Sequence, residues 1–134
     1  LLRKCHEAKV AGDPELSIWG SGTPRREFLH VDDLADACVY LMNNKNASDL
    51  DGHVNIGVGE DLSIRDLAEL IQKVVGFEGQ LTFDTSMPDG TPRKLLNVDK
   101  MNNLGWKATR DLESGIADTY AWYLKNQPTP TNAS

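Results

Sequence analysis

This sequence predicts a small mixed α/β lobe, on three observations. Two short stretches, ELSIW (Glu15–Trp19) and QLTFD (Gln80–Asp84), alternate apolar with polar residues and read as strands, with Leu16, Ile18, Leu81 and Phe83 facing inward. Between them Ile64, Leu67, Ala68, Ile71, Val74 and Val75 follow a 3.6-residue period that Gly76 ends, which marks a helix. The strands are few and short, so the sheet alone is small and such a module packs against something larger. At 134 residues the chain has room for one domain with one core.

The remaining elements follow in order. LLRKCHEAKVAG (1–12) reads as the second half of a helix already under way. No capping residue precedes Leu1, and Gly12 stands where a C-terminal glycine belongs, so the chain is expected to be a fragment. FLHV (28–31) reads as a short extended piece, after which Asp32 or Asp33 caps a helix with Leu34, Cys38, Leu41 and Met42 on one stripe. HVNIG (53–57) predicts a strand with Val54 and Ile56 on one face, ending in the turn GVGED. Ser63 and Asp66 have the spacing of a capping box, with Asp in place of the usual Glu. A short LLNV segment precedes a helical turn from Asp99. The last helix runs over about 111–126, burying Leu112, Ile116, Tyr120 and Tyr123. The lobe is thus expected over 1–126, with QPTPTNAS (127–134) as a disordered tail.

Charge narrows the function. Fourteen Lys+Arg against 20 Asp+Glu give a net charge of -6, which argues against a dedicated nucleic-acid binder. Positive charge is local: two Gly/Pro loops each follow a strand and end in a basic pair, Arg25-Arg26 and Arg93-Lys94. Glycine lets backbone approach a ligand, proline restrains the loop, and arginine forks match phosphate oxygens. Two such loops converging on one site predict a diphosphate ligand. Trp19 offers a flat surface for a base or sugar ring, and Asp89 an acceptor for sugar hydroxyls or purine N–H groups.

Other features read as structural. His30 sits between Leu29 and Val31 as a structural histidine, and HVDD has no second cluster to complete a metal set. Cys5 and Cys38 lack metal or redox spacing, and Cys38 on an apolar stripe predicts a buried thiol, as in a cytoplasmic protein. No apolar run has the length of a membrane span. No glycine-rich dinucleotide turn follows a strand, and Tyr120 and Lys125 lie five apart rather than in a Tyr-x-x-x-Lys pair.

LLRKCHEAK, WGSGTPRREFLHVDDLADA, NIGVGEDLSIRDLAELI and FDTSMPDGTPRKLLNVDKMNNLGW together resemble the C-terminal portion of the GDP-L-fucose synthase family of extended short-chain dehydrogenase/reductases. The first-loop pattern is shared across nucleotide-sugar enzymes; PDGTPRKLL is the narrower signature. The resemblance implies an enzyme with a Rossmann lobe that binds NADP(H), absent from this chain, and a smaller lobe that holds a GDP-sugar. It implies epimerisation of GDP-4-keto-6-deoxy-D-mannose at C3 and C5, then reduction at C4 by NADPH. The family's Ser/Tyr/Lys set and its Cys/His acid–base pair lie upstream, so no catalytic residue is expected here. Cys5 does not match the catalytic cysteine. By position, substrate contacts fall on Lys4, Trp19, Arg26, Asp89 and Lys94, with Arg25 and Arg93 less marked. A homodimer is expected for the whole enzyme. UDP- or dTDP-sugar relatives, and a non-catalytic nucleotide-sugar-binding module, are the alternatives.

Overall fold

The computed structural model describes residues 1–126; the expected disordered tail lies outside the described residues. Chain order is α1 (Leu2–Ala11), β1 (Glu15–Trp19), β2 (Arg25–Arg26), α2 (Val31–Asn44), a 3-10 turn (Ala47–Asp49), β3 (Leu62–Ser63), α3 (Ile64–Val75), β4 (Gln80–Asp84), β5 (Arg93–Lys94), α4 (Asp99–Asn103) and α5 (Leu112–Lys125). The small mixed α/β class is as the sequence predicts. Strands β1 and β4 pair in parallel, with Leu16 opposite Leu81 and Ile18 opposite Phe83. A second sheet has the order β3-β2-β5, with β2 antiparallel to β3 and parallel to β5.

Helix α3 organises the main core. Its capping box closes in both directions: Ser63 Oγ accepts from the Asp66 N–H at 3.0 Å, and Asp66 Oδ2 accepts from the Ser63 N–H at 3.2 Å. Leu67, Ile71 and Val75 pack against Cys5 and Ala8 of α1 and against Phe77, with Leu16, Leu81, Leu112, Ile116 and Tyr120 around them. Gly12 and Gly76 end α1 and α3 in the left-handed conformation, at φ 69° and 71°. Around the buried Ala37, Met101 and Trp106, a second cluster collects Leu29, Tyr40, Leu41, Val54 and Ile56.

Several expectations change. The extended piece in the first loop is Arg25–Arg26, not 28–31, and Val31 already begins α2. The cap of α2 is His30, whose Nδ1 accepts from the Asp32 N–H at 3.2 Å, rather than either aspartate. Asp33 is instead buried, accepting from the N–H groups of Thr109 and Arg110 and from the Thr109 hydroxyl. The α2 stripe turns with it. Ala37 is buried, Tyr40 and Leu41 are half-buried, and Leu34, Cys38 and Met42 are exposed, so the predicted buried Cys38 thiol is not observed. The carboxylate anchor at Asp33 fixes the helix by one face, and the apolar periodicity marks the adjoining one.

No strand forms at 53–57, because a β ladder needs a hydrogen-bonding neighbour and among the described residues this segment has none. Val54 and Ile56 still pack, half-buried, beneath Trp106 and Met101. Conversely, Arg93–Lys94 pairs as β5 within what reads as loop. Met101, 1% exposed, is the largest fully buried side chain. Met101→Ala is expected to lower unfolding free energy by about 2–5 kcal/mol, through lost transfer energy and a residual cavity. Urea unfolding, with an unchanged m value, measures this.

Candidate functional site

Successive residues of a strand point to opposite faces, and this splits each basic pair. In the β2–β5 register Arg25 lies opposite Arg93 and Arg26 opposite Lys94. Arg25 and Arg93 therefore share one face of the small sheet, and Arg26 and Lys94 the other. On the first face both arginines meet one carboxylate. Arg25 Nε donates to Asp61 Oδ1 at 2.7 Å, Arg93 Nε donates to Asp61 Oδ2, and Arg25 Nη2 donates to the Asp61 carbonyl at 2.7 Å. The Asp61 side chain is 3% exposed, and the guanidiniums of Arg93 and then Arg25 hold its carboxyl below the usual carboxylate range.

Arg26 and Lys94 remain unpaired with any carboxylate among the described residues. Arg26 is half-buried and restrained by donation from Nη1 to the Arg25 carbonyl at 2.7 Å. It borders two adjoining clefts that share Trp19 and Ile64. The larger, about 390 Å³, also contains Lys4, Ser17 and Phe28; the smaller, about 100 Å³, contains Pro88, Asp89 and Gly90. Trp19, at the end of β1, is 67% exposed, with Lys4 Nζ 5.5 Å from its ring centroid. Four of the five site residues expected from sequence thus line two clefts that meet at Trp19, Arg26 and Ile64. Lys94 lines neither cleft but stands beside Arg26 in register.

The rim is made by the two loops bound to each other. Asp89 accepts from the Ser21 N–H at 2.8 Å and the Ser21 hydroxyl at 2.7 Å, and these hold its carboxyl below the ordinary range. Each Asp89 oxygen keeps further acceptor capacity, and the residue lines the smaller cleft. Beneath the first loop, Gly22 (φ 77°) passes over the Phe83 ring. Arg65 stacks on the same ring at 3.7 Å and donates to the Ser21 carbonyl at 3.2 Å. Glu27 accepts from the N–H groups of Val58 (2.5 Å), Gly59 (2.6 Å) and Leu96 (3.0 Å), tying three loops together.

Sequence reasoning missed Asp61, Ser21, Arg65 and Glu27. Their partners lie far along the chain; the one available signal was that two pairs of adjacent cations require a counter-charge. A separate cleft of about 310 Å³ between α1, α3 and α5 has one cation, Arg110, committed to Asp32 and Asp118, so it offers no anion site. Cys5 is buried, and desolvation pushes its thiol up.

A depressed carboxylate stabilises the fold above the unfolded-state value and loses that contribution as pH falls through the lowered one. Asp61 therefore supports the β3-β2-β5 sheet fully above about pH 4. Its protection is lost on further acidification. Thermal midpoints of the Asp61→Asn variant are expected to depend less on pH between about 5 and 2 than those of the parent.

The NAD dependent epimerase/dehydratase family matches residues 1–57. GDP-L-fucose synthase 1 of Arabidopsis thaliana is 55% identical over 126 residues, 94% of this chain and 38% of that protein. The crystal structure of a GDP-L-fucose synthetase from Naegleria fowleri superposes with a TM-score of 0.85 at 31% identity, over 94% of this chain and 38% of that one. A GDP-mannoheptose C4 reductase from Campylobacter jejuni with NADP bound gives 0.82 at 41% identity, over 92% and 43%. The chain spans about two fifths of the length of these relatives. Its first 57 residues match the model of the NAD dependent epimerase/dehydratase family, and along nearly its whole length it is similar to part of the GDP-L-fucose synthases.

Proposed function

We propose that this chain is the GDP-sugar-binding lobe of an NADP-dependent epimerase-reductase that converts GDP-4-keto-6-deoxy-D-mannose to GDP-L-fucose. One observation carries the reading: Lys4, Trp19, Arg26 and Asp89 line two clefts that meet at Trp19 and Arg26, with Lys94 beside Arg26. Three cations suit a diphosphate, the exposed indole suits a ring, and the free lone pairs of Asp89 suit hydroxyl or N–H donors. The N. fowleri and A. thaliana relatives, named for GDP-L-fucose synthesis, point the same way.

In this reading the chain binds and orients, while chemistry belongs to a preceding lobe. NADP, bound in the C. jejuni relative, supplies hydride for the C4 reduction. The described residues do not fit it, since none forms a glycine-rich turn between a strand and a helix N-terminus, and we assign NADP no contact here. Cys5, buried with a raised thiol, is unsuited to proton transfer. The chain alone is accordingly inactive. The outer face of α2, with Val31, Leu34, Val39 and Met42 exposed, is suited to seating the other lobe. The homodimer is likewise a property of the whole enzyme.

In the full-length protein, Arg26→Ala and Lys94→Ala are each expected to weaken GDP-sugar binding about tenfold or more, as charge-assisted hydrogen bonds contribute about 1.5–3 kcal/mol. NADP binding should stay unchanged; a parallel loss in calorimetric titrations overturns the site assignment. Titration with GDP, UDP and dTDP settles the base, and equal affinity for GDP and UDP rejects a guanine-specific site. A preceding segment without a glycine-rich turn and Tyr-x-x-x-Lys pair would favour a non-catalytic module.

A further inference from the structure

Asp61 touches neither cleft, yet it is the one acidic side chain bonded to any of the four loop cations among the described residues. It adjoins the N-terminal end of β3, on the outer strand of the small sheet. Arg93 belongs to the opposite outer strand, β5, with β2 and its Arg25 between them. The carboxylate therefore ties all three strands through side chains. Each strand is two residues long, so the backbone ladder itself is minimal.

We propose that Asp61 is a positioning residue of the anion site: by fastening Arg25 and Arg93 on one face, it holds Arg26 and Lys94 side by side on the other. This role rests on the GDP-sugar reading above. Without the carboxylate, two guanidiniums on one face have no counter-charge and repel, and β5 is released along with Lys94. Asp61 also withholds two of the four cations from the ligand, so the ligand meets a defined pair rather than a diffuse positive patch.

Two accounts of Asp61 predict opposite signs. If it acted only as a negative charge near an anion site, removing it would tighten GDP binding. If it acts by position, removal weakens it. The positional effect must also run through Lys94, and a double-mutant cycle reads this directly.

The experiment is calorimetric titration of the full-length protein with GDP, for the parent, Asp61→Asn, Lys94→Ala and the double variant. Circular dichroism and the thermal transition of each variant serve as the check on folding, and NADP affinity as the check that the preceding lobe is intact. Asp61→Asn is expected to weaken GDP binding about 5- to 20-fold, and its effect is expected to shrink to less than about threefold when Lys94 is already alanine. Asp61→Glu, which keeps the charge, should recover part of the loss. If Asp61→Asn does not fold, Arg93→Gln cuts the same tie, and its loss must also shrink in the Lys94→Ala background. Unchanged or tighter GDP binding overturns the proposal, as do losses that multiply across the cycle, the mark of a merely structural role. A parent protein that does not bind GDP overturns the GDP-sugar reading and the positioning role with it. GDP binding without coupling overturns the positioning role alone.

Discussion

One shared carboxylate organises the positive charge of this acidic lobe. Asp61 lies almost fully covered between two guanidiniums, and an unpaired charge in such a place is costly. Its partners are therefore fixed, and the strand pleat then decides what stays available. Had β2 and β5 slipped by one residue, Arg26 and Arg93 would share a face, and the site cations would be scattered. The arrangement of the depression beside Trp19 follows from this pairing more than from any contact within the depression.

The second constraint is closure of the rim. Ser21 and Asp89 join loops separated by 68 positions in sequence, and Arg65 supports the first of them from α3. Pro88, Asp89 and Gly90 thereby stand opposite Trp19 with no helix or strand of their own. The approach is close at Gly90, where a Cβ would lie 3.2 Å from Arg26 Nη2.

Much of the fold was legible because local signals and packing agree. The α3 box of Ser63 and Asp66, the αL glycines at 12 and 76, and the alternation in β1 and β4 are written in adjacent residues. The failures share one cause, which is that long-range partners set the outcome. Periodicity could not reveal that Asp33 faces inward on α2, since a buried carboxylate is chosen by the Thr109 and Arg110 amides 76 and 77 positions away. HVNIG has strand composition without a strand neighbour, and Arg93–Lys94 has a neighbour without strand composition. At the site, Trp19 and Arg26 could be read from type and loop chemistry. The division of labour within each basic pair could not, because it depends on register.

Glu27 gives this picture its last consequence. It follows Arg26 directly and collects three amide hydrogens, while Arg25, directly before, is fastened to Asp61. Arg26, the arginine of the proposed site, is thus the middle residue of a segment fixed at both ends, and its own side chain leans on the Arg25 carbonyl. Freedom that a flexible surface arginine would surrender on meeting an anion has already been surrendered in folding. In the proposed site the prong is thus held before any ligand arrives, and association there would resemble a key entering a finished lock more than a hand closing.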